Sequence, residues 1–153
     1  MRSFIKENLN RILLLILLGL LFVLWARVIE CNFKTNDRTK ELSTIWARID
    51  CAKSFGWEVD PGSEIMEKIH IPNEFDEVYT EYNRIQKMCG FDLLLYRGKT
   101  AIKYTYIITN YPYELSEPVY INLYINEDKL IGGDIMTRSV GGFMLPLDRR
   151  FVL

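Results

Sequence analysis

The longest uninterrupted run of apolar residues lies near the N-terminus, from Ile12 to Ala26, and contains no charged or strongly polar side chain. As a helix this run spans about 22 Å at ~1.5 Å per residue, less than the ~30 Å hydrocarbon layer of a bilayer. Residues 9–29 reach that thickness when the side chains of Arg11 and Arg27 extend to the two interfaces. The pattern therefore predicts a transmembrane helix over residues 9–29.

A single N-terminal span can be a cleaved signal peptide, a lipoprotein signal or an uncleaved anchor. A cleaved signal needs small residues at its cleavage site, and residues 27–30, which read RVIE, offer none. A lipoprotein signal needs a small residue before its cysteine, whereas Glu30 precedes Cys31. A buried core helix is disfavoured because the run is apolar on every face. We therefore expect an uncleaved signal anchor.

Positive charges flank the span almost equally, so its orientation depends on which end has to cross the membrane. Before it lie the α-amino group, Arg2, Lys6 and Arg11, and after it lie Arg27, Lys34, Arg38 and Lys40. Long domains translocate largely regardless of their charge, whereas the membrane potential opposes export of a short, highly positive tail. We expect a cytoplasmic tail and anchor at residues 1–29, a linker at residues 30–41 and an extracytoplasmic domain at residues 42–153.

Two later segments show the apolar spacing of amphipathic helices. In the first, Asn36 or Asp37 is the candidate N-cap, Gly56 ends the helix, and the apolar face comprises Leu42, Ile45, Trp46, Ile49 and Ala52. In the second, Asn73 is the candidate N-cap, Gly90 follows the last turn, and the apolar stripe comprises Phe75, Val78, Tyr79, Tyr82, Ile85 and Cys89.

The other segments alternate apolar and polar residues with a period of two, as strands do. A short strand is predicted at residues 65–71, before the second helix. After Gly90, a hairpin pattern at residues 93–109 is followed by strand patterns at residues 119–125, 130–136 and 143–147. The order predicts an α+β fold, with two helices packed on an antiparallel sheet and a meander of roughly four strands after the second helix.

Composition narrows the function classes without identifying one. Residues 28–153 carry 15 Lys and Arg against 19 Asp and Glu side chains, a net charge near −4, with no basic run. Nucleic-acid binding is therefore disfavoured. The three cysteines, Cys31, Cys51 and Cys89, lack the spacing of a metal site. A Cys51–Cys89 disulfide stays open but is not favoured, because Cys51 is predicted on the polar face of the first helix.

Catalytic signatures are mostly absent: the sequence contains no G-x-S-x-G, H-E-x-x-H, P-loop or G-x-G-x-x-G motif. The single histidine, His70, is interpreted as solvent-exposed or locally hydrogen-bonded, and no metal or cofactor is expected. Asp92 and Asp134 stand in otherwise apolar sequence, as GFDL and GGDI. They are candidates for an acid/base pair or a calcium site. The favoured interpretation is structural, with Asp92 bonding backbone amides and Asp134 lying at a glycine bulge.

All nine tyrosines lie between Tyr79 and Tyr124. Tyrosine forms strands readily and combines an apolar ring with a polar tip, so most of them are interpreted as structural. Four residues are nevertheless predicted to stand together on the outer face of the sheet, namely Lys103, Tyr120, Asn122 and Tyr124. Exposed Tyr, Asn and Lys suit contacts with glycans or proteins. These four residues, with Asp134, form the candidate binding set.

The soluble part also carries a string of short motifs: IPNEFDEVYTEYNRIQKMCGFDLLLYRGKTAIKYTYIITNYP, then VYINLYINEDKLIGGDI and GFML. This string resembles a family of clostridial-type membrane-anchored proteins, the domain-of-unknown-function family numbered 4830. The resemblance covers residue 56 to about residue 145. It implies a membrane-anchored protein but no catalytic residues and no substrate, because the family has no assigned chemistry.

These observations lead to one expected function and one alternative. The expected function is a non-enzymatic binding module outside the cell membrane, held to the lipid bilayer by residues 9–29. Its expected partner is an envelope protein or a glycan, and not a nucleic acid. The alternative is a cell-envelope enzyme that uses Asp92 or Asp134.

Overall fold

The structure is a computed structural model that describes residues 42–152, together with Gly19, which lies in a helix. The tail, the membrane anchor apart from Gly19, and the linker predicted at residues 1–41 lie outside the described residues. Among those described, no helix combines the length and the apolar character needed to cross a bilayer.

Five antiparallel strands form one sheet, in which each strand pairs with the next in chain order. The strands are β1 (Ile65–His70), β2 (Thr100–Ile107), β3 (Tyr120–Asn126), β4 (Lys129–Met136) and β5 (Met144–Pro146). The predicted α+β class is confirmed. The sheet has one strand more than the predicted meander because β1, which precedes the second helix, pairs with β2 from Ile65 opposite Thr105 to His70 opposite Thr100.

The two helices begin later than the sequence pattern predicts. Helix α1 spans Ile45–Ser54, and the Thr44 side chain accepts a hydrogen bond from the Ala47 N–H. Helix α2 spans Glu77–Met88, and the Asp76 carboxylate accepts from the Tyr79 N–H. Each cap satisfies an N–H group that has no partner within its helix. Thr44 and Asp76 therefore replace the predicted caps.

Helix α1 buries only part of the predicted apolar face. Trp46 is 68% exposed, whereas Arg48 and Cys51 are buried beside Ile49 and Ala52. The predictions for Trp46 and Cys51 were wrong because a charged residue holds the helix in place. The Arg48 guanidinium, which is only 5% exposed, hydrogen-bonds two backbone carbonyls, the Tyr106 hydroxyl and a carboxylate.

Helix α2 also departs from its predicted apolar stripe, because it packs against β4 and β5 through polar side chains. Val78 is exposed, while Asn83 and Gln86 are buried. The Gln86 Oε1 accepts the Gly133 N–H at 2.8 Å, and the Asn83 Oδ1 accepts the Leu93 N–H at 2.8 Å. These amide oxygens provide partners for backbone N–H groups that would otherwise be buried without one.

The segment Leu93–Tyr96 forms a 3₁₀ helix and not the predicted strand. The Asp92 side chain accepts the Leu94 N–H and so caps this turn. The spacing of a short apolar run is compatible with a strand or with a helical turn. Here the hydrogen bond from the Leu94 N–H to the Asp92 side chain favours the helical turn.

Two hydrophobic clusters lie on opposite faces of the sheet. The first joins α1 to β3 and includes Ile49, Leu123 and Ile125. The second includes Ala101 and packs against Tyr124. Because Tyr124 stands between Leu123 and Ile125 in the same strand, its side chain points to the other face. Cys89, the C-cap of α2, belongs to the first cluster, and the α2 residue Tyr82 packs against the second. Helix α2 therefore bridges the two clusters.

The two cysteines that the structure describes are both buried. Their sulfur atoms are not joined by a disulfide. The Cys89 Sγ lies 3.4 Å from the Asp148 backbone nitrogen and accepts its N–H. The possible Cys51–Cys89 bridge is therefore not formed.

Candidate functional site

A buried carboxylate lies where helix α2 meets the sheet. Asp134 on β4 is 0% exposed. Its Oδ1 accepts the Asn122 Nδ2–H at 2.7 Å, and its Oδ2 accepts the hydroxyls of Tyr82 at 2.6 Å and Tyr124 at 3.0 Å. A buried charge needs hydrogen bonds to replace water, and three donors supply them here.

The glycines before Asp134 let the helix and the strands approach closely. A Cβ on Gly133 would lie 2.6 Å from the Asn122 carbonyl oxygen, and one on Gly132 would lie 2.8 Å from the Gln86 Oε1. Both distances are shorter than a real Cβ contact. The GGD step is therefore required by packing, because it brings the α2 residue Tyr82 within reach of Asp134.

A further hydrogen bond fixes the orientation of the Asn122 side-chain amide. The Thr105 hydroxyl on β2 donates to the Asn122 Oδ1 at 2.7 Å. With its oxygen held in this way, the Asn122 amide presents its NH₂ group to Asp134. The network thus runs across three strands and ends at helix α2, with Thr105, Asn122 and Asp134 all buried.

Burial shifts the ionisation of this group of residues. Loss of hydration raises the pKa of Asp134, while hydrogen bonds from Tyr82, Asn122 and Tyr124 oppose the rise. The pKa values of Tyr82 and Tyr124 lie well above their ordinary value, because of burial and the neighbouring carboxylate. Both phenols therefore stay protonated at neutral pH and keep donating to Asp134.

A cavity of about 140 Å³, partly open to solvent, lies beside these phenols. Its walls come from β1, β2, β3, α2 and the 3₁₀ helix, and its lining residues are Ile69, Ile71, Tyr79, Tyr82, Leu93, Lys103 and Tyr124. The rings of Tyr79 and Tyr82 meet at 81°, and those of Tyr82 and Tyr124 meet at 84°. We call this cavity the tyrosine pocket.

Lys103 supplies the only ammonium group among the residues that line the tyrosine pocket. Its Nζ lies 2.5 Å from Glu67 Oε2 on β1, and its side chain is partly exposed. The hydrogen bond and the positive charge of Lys103 lower the pKa of Glu67. The charge of Lys103 is thus balanced by a neighbouring carboxylate.

The predicted binding set divides into three locations. Lys103 and Tyr124 line the tyrosine pocket, whereas Asn122 and Asp134 are buried behind it. Tyr120 stacks under Arg138, whose guanidinium carbon lies 4.1 Å from the ring centre. The prediction of an exposed outer row was wrong for Asn122, which is 3% exposed, and Tyr124 is only partly exposed. The reason is that both faces of β3 are covered by packed elements.

Asp92 and Asp134 belong to separate hydrogen-bond groups. Asp92 accepts from the Asn83 Nδ2–H and the Leu94 N–H and lies 3.3 Å from the Lys87 ammonium. The hydrogen bond from Asn83 is the main reason why the pKa of Asp92 is lowered. The two aspartates share no hydrogen-bond partner among the residues that the structure describes.

The contribution of helix α2 and the 3₁₀ helix to the site was not predicted from the sequence. Tyr79 and Tyr82 were interpreted as core residues, and Leu93 was placed in a strand. The spacing of Tyr79 and Tyr82 on one helix face was a visible signal. That this face meets the GGD step depends on tertiary packing, which no local pattern encodes.

A protein-family model described as "Domain of unknown function (DUF4830)" matches residues 52–135, more than half of the chain. The matched range contains every residue that lines the tyrosine pocket, as well as Asp134. No curated protein and no solved structure matches the chain. The chain therefore belongs to the DUF4830 family.

Proposed function

We propose that this protein is a non-enzymatic binding module of the cell envelope. In this proposal residues 9–29 form a transmembrane helix, and the domain at residues 42–153 lies on the outer side of the cell membrane. The apolar run at residues 12–26 and the absence of a cleavage-type sequence after it support the anchor. The tyrosine pocket supports the binding role and is the observation that carries it.

The tyrosine pocket has the features of a preorganised site. Its side chains project from strands and helices, which hold positions more precisely than loops do. Asp134 fixes the hydroxyls of Tyr82 and Tyr124, so these groups lose little freedom when a ligand binds. The pocket combines aromatic and aliphatic walls with a few polar atoms, as ligand sites do.

Photo-crosslinking in intact cells tests the proposal. A benzophenone amino acid placed at Tyr79, on the wall of the tyrosine pocket, is expected to form one defined adduct. The same amino acid at Tyr113, which is 58% exposed and does not line the pocket, is the matched control and is expected to form none. Lys103→Ala is expected to reduce the yield at position 79. Equal adducts from both positions, or none from either, would contradict the proposal.

A further inference from the structure

We propose that the tyrosine pocket takes an uncharged, hydroxyl-bearing ring, as found in the saccharide units of an envelope glycan. This inference rests on the proposed binding function and specifies its ligand class. Three observations carry it: the size of the pocket, the direction of its hydrogen-bonding groups and the balance of its charges.

The size of the pocket suits a single six-membered ring. Its volume is about 140 Å³. An engineered protein cavity of ~150 Å³ is known to hold benzene. Because the pocket is partly open to solvent, one edge of a pyranose ring and its linkages to neighbouring units can remain outside. The aromatic rings of Tyr79, Tyr82 and Tyr124, which line the pocket, offer apolar surface to the C–H groups of such a ring.

The polar atoms of the pocket present both acceptors and donors. The hydroxyl protons of Tyr82 and Tyr124 are donated to Asp134. Towards a ligand these phenols can therefore act only as acceptors, through the lone pairs of their oxygens. Lys103, which lies on the adjacent strand β2 and is paired with Tyr124, contributes N–H donors. A hydroxyl group both donates and accepts, so a polyol ring can satisfy the two kinds of group together.

The charges around the pocket disfavour a charged ligand of either sign. A cation would meet the ammonium of Lys103, and an anion would approach the carboxylates of Glu67 and Asp134. These charges are already paired or held by hydrogen bonds. An aliphatic protein side chain would fill the volume but would cover the two phenol oxygens and the ammonium without replacing their water, which is unfavourable.

The test is an NMR titration of the full chain in phospholipid nanodiscs, since maltoside detergents would themselves bring saccharide rings. The saccharide probes are glucose, N-acetylglucosamine and their β-linked tetrasaccharides, and the comparison probes are choline, acetate and a leucine-rich peptide. The readout is the methyl signals of Ile69 and Ile71 in the pocket, with Ile121 and Ile135 in the opposite cluster as internal references. The pocket signals are expected to move with at least one saccharide probe, while the references stay.

Substitutions assign the binding to the pocket. Lys103→Met is expected to weaken binding about tenfold, the order expected for one lost hydrogen bond to a charged group. Lys68→Met, on the neighbouring strand and outside the pocket, is the matched control and is expected to leave binding unchanged. Tyr79→Leu removes a wall ring and is expected to weaken binding, whereas Tyr113→Leu is not. Thermal unfolding of each variant checks that the fold is retained.

The outcomes separate this inference from the proposed function. Tighter binding of a tetrasaccharide indicates a polymeric glycan, and equal binding of a single sugar indicates a free one; both support the inference. If the pocket signals do not move with any sugar but move with choline, acetate or a leucine-rich peptide, the inference is overturned. The proposed binding function is then still supported. If no probe moves the pocket signals, the inference is overturned; if there is also no crosslinked adduct at Tyr79, the proposed function is overturned as well.

Discussion

At the scale of single residues, two buried charges organise the domain. Asp134 ties helix α2 to the sheet through Tyr82, and Arg48 ties α1 to the sheet through Tyr106. Each is surrounded by hydrogen-bond partners, which is how buried charges persist in a fold. The sequence analysis singled out Asp134, because an acid between glycine and isoleucine is unusual. It did not single out Arg48, because a basic residue in a helix is ordinarily exposed.

The raised pKa of Asp134 predicts a pH dependence of stability. Because burial raises this pKa above its ordinary value of 3.8, the folded state holds the proton more tightly than the unfolded chain does. The contribution to stability is therefore fully present below pH 3.8 and is lost as the pH rises through the raised pKa. The predicted quantity is the free energy of unfolding of the native protein minus that of Asp134→Asn. This difference is expected to fall as the pH rises from 3.8 through the raised pKa of Asp134.

Urea unfolding of both proteins at a series of pH values measures this difference. Asp92→Asn is the matched control, because the pKa of Asp92 is lowered. Its contribution is present above pH 3.8 and is lost only as the pH falls through the lowered pKa, so its difference should stay level in the same window. A difference for Asp134→Asn that stays constant or rises with pH would show that burial does not dominate this site.

The Arg48 network predicts a large loss of stability on substitution. Arg48→Met removes the ion pair with Glu64, which keeps the Tyr106 hydroxyl as a donor, and takes the Arg48 N–H groups away from two carbonyl oxygens and from the Tyr106 oxygen. The free energy of unfolding is expected to fall by about 2–3 kcal/mol. Arg84→Met, which removes an exposed ion pair with Glu81, is the matched control and is expected to change stability little. Equal effects of the two substitutions in denaturant melts would contradict the role assigned to Arg48.

At the scale of elements, the sequence predicts the strands, which depend on residue spacing. It does not predict all of the buried helix positions, which depend on how the helices dock on the sheet. The strands β2 and β3 follow from alternation over seven or eight residues. The inward faces of the helices were predicted only in part: Ile49, Ala52 and Cys89 are buried as predicted, but polar residues are buried too, namely Arg48, Asn83 and Gln86. Such polar residues are buried only when the opposing element supplies a partner, and that information is absent from the helix itself.

The GGD step offers a test of the contact between β4 and its neighbours. A Cβ at Gly133 would lie 2.6 Å from the Asn122 carbonyl oxygen and 2.9 Å from Leu147. Gly133→Ala is therefore expected to lower the free energy of unfolding by about 2–3 kcal/mol. Gly62→Ala, where the nearest atom lies 3.3 Å away at the end of the Asp60 side chain, is the control. Thermal melts in which Gly133→Ala is as stable as Gly62→Ala would refute this packing.

At the scale of the whole molecule, the candidate site could be predicted only in part. Lys103 and Tyr124 were identified because they lie on adjacent strands with their side chains on one face. Tyr79 and Leu93 complete the pocket from elements that reach it through tertiary contacts. The location of a polar patch on the sheet thus follows from strand period, whereas its conversion into a pocket depends on where helix α2 docks.

The predicted topology of the chain places Cys31 outside the cell membrane, next to the anchor. A membrane-impermeant maleimide added to intact cells is expected to label the protein. Cys51 and Cys89 are buried, so labelling of the native protein reports on Cys31. Cys31→Ser is the control and is expected to abolish the label. Modification that occurs only after the cells are lysed would indicate the opposite orientation.

The claim on which the account depends is that the tyrosine pocket of the tethered chain is a binding site. Its most direct test is a methyl NMR spectrum of the full chain in nanodiscs before and after addition of isolated envelope material. The account predicts that the signals of Ile69 and Ile71 move or broaden, while that of Ile135 stays unchanged. Pocket signals that remain in place in the presence of every envelope fraction would contradict it.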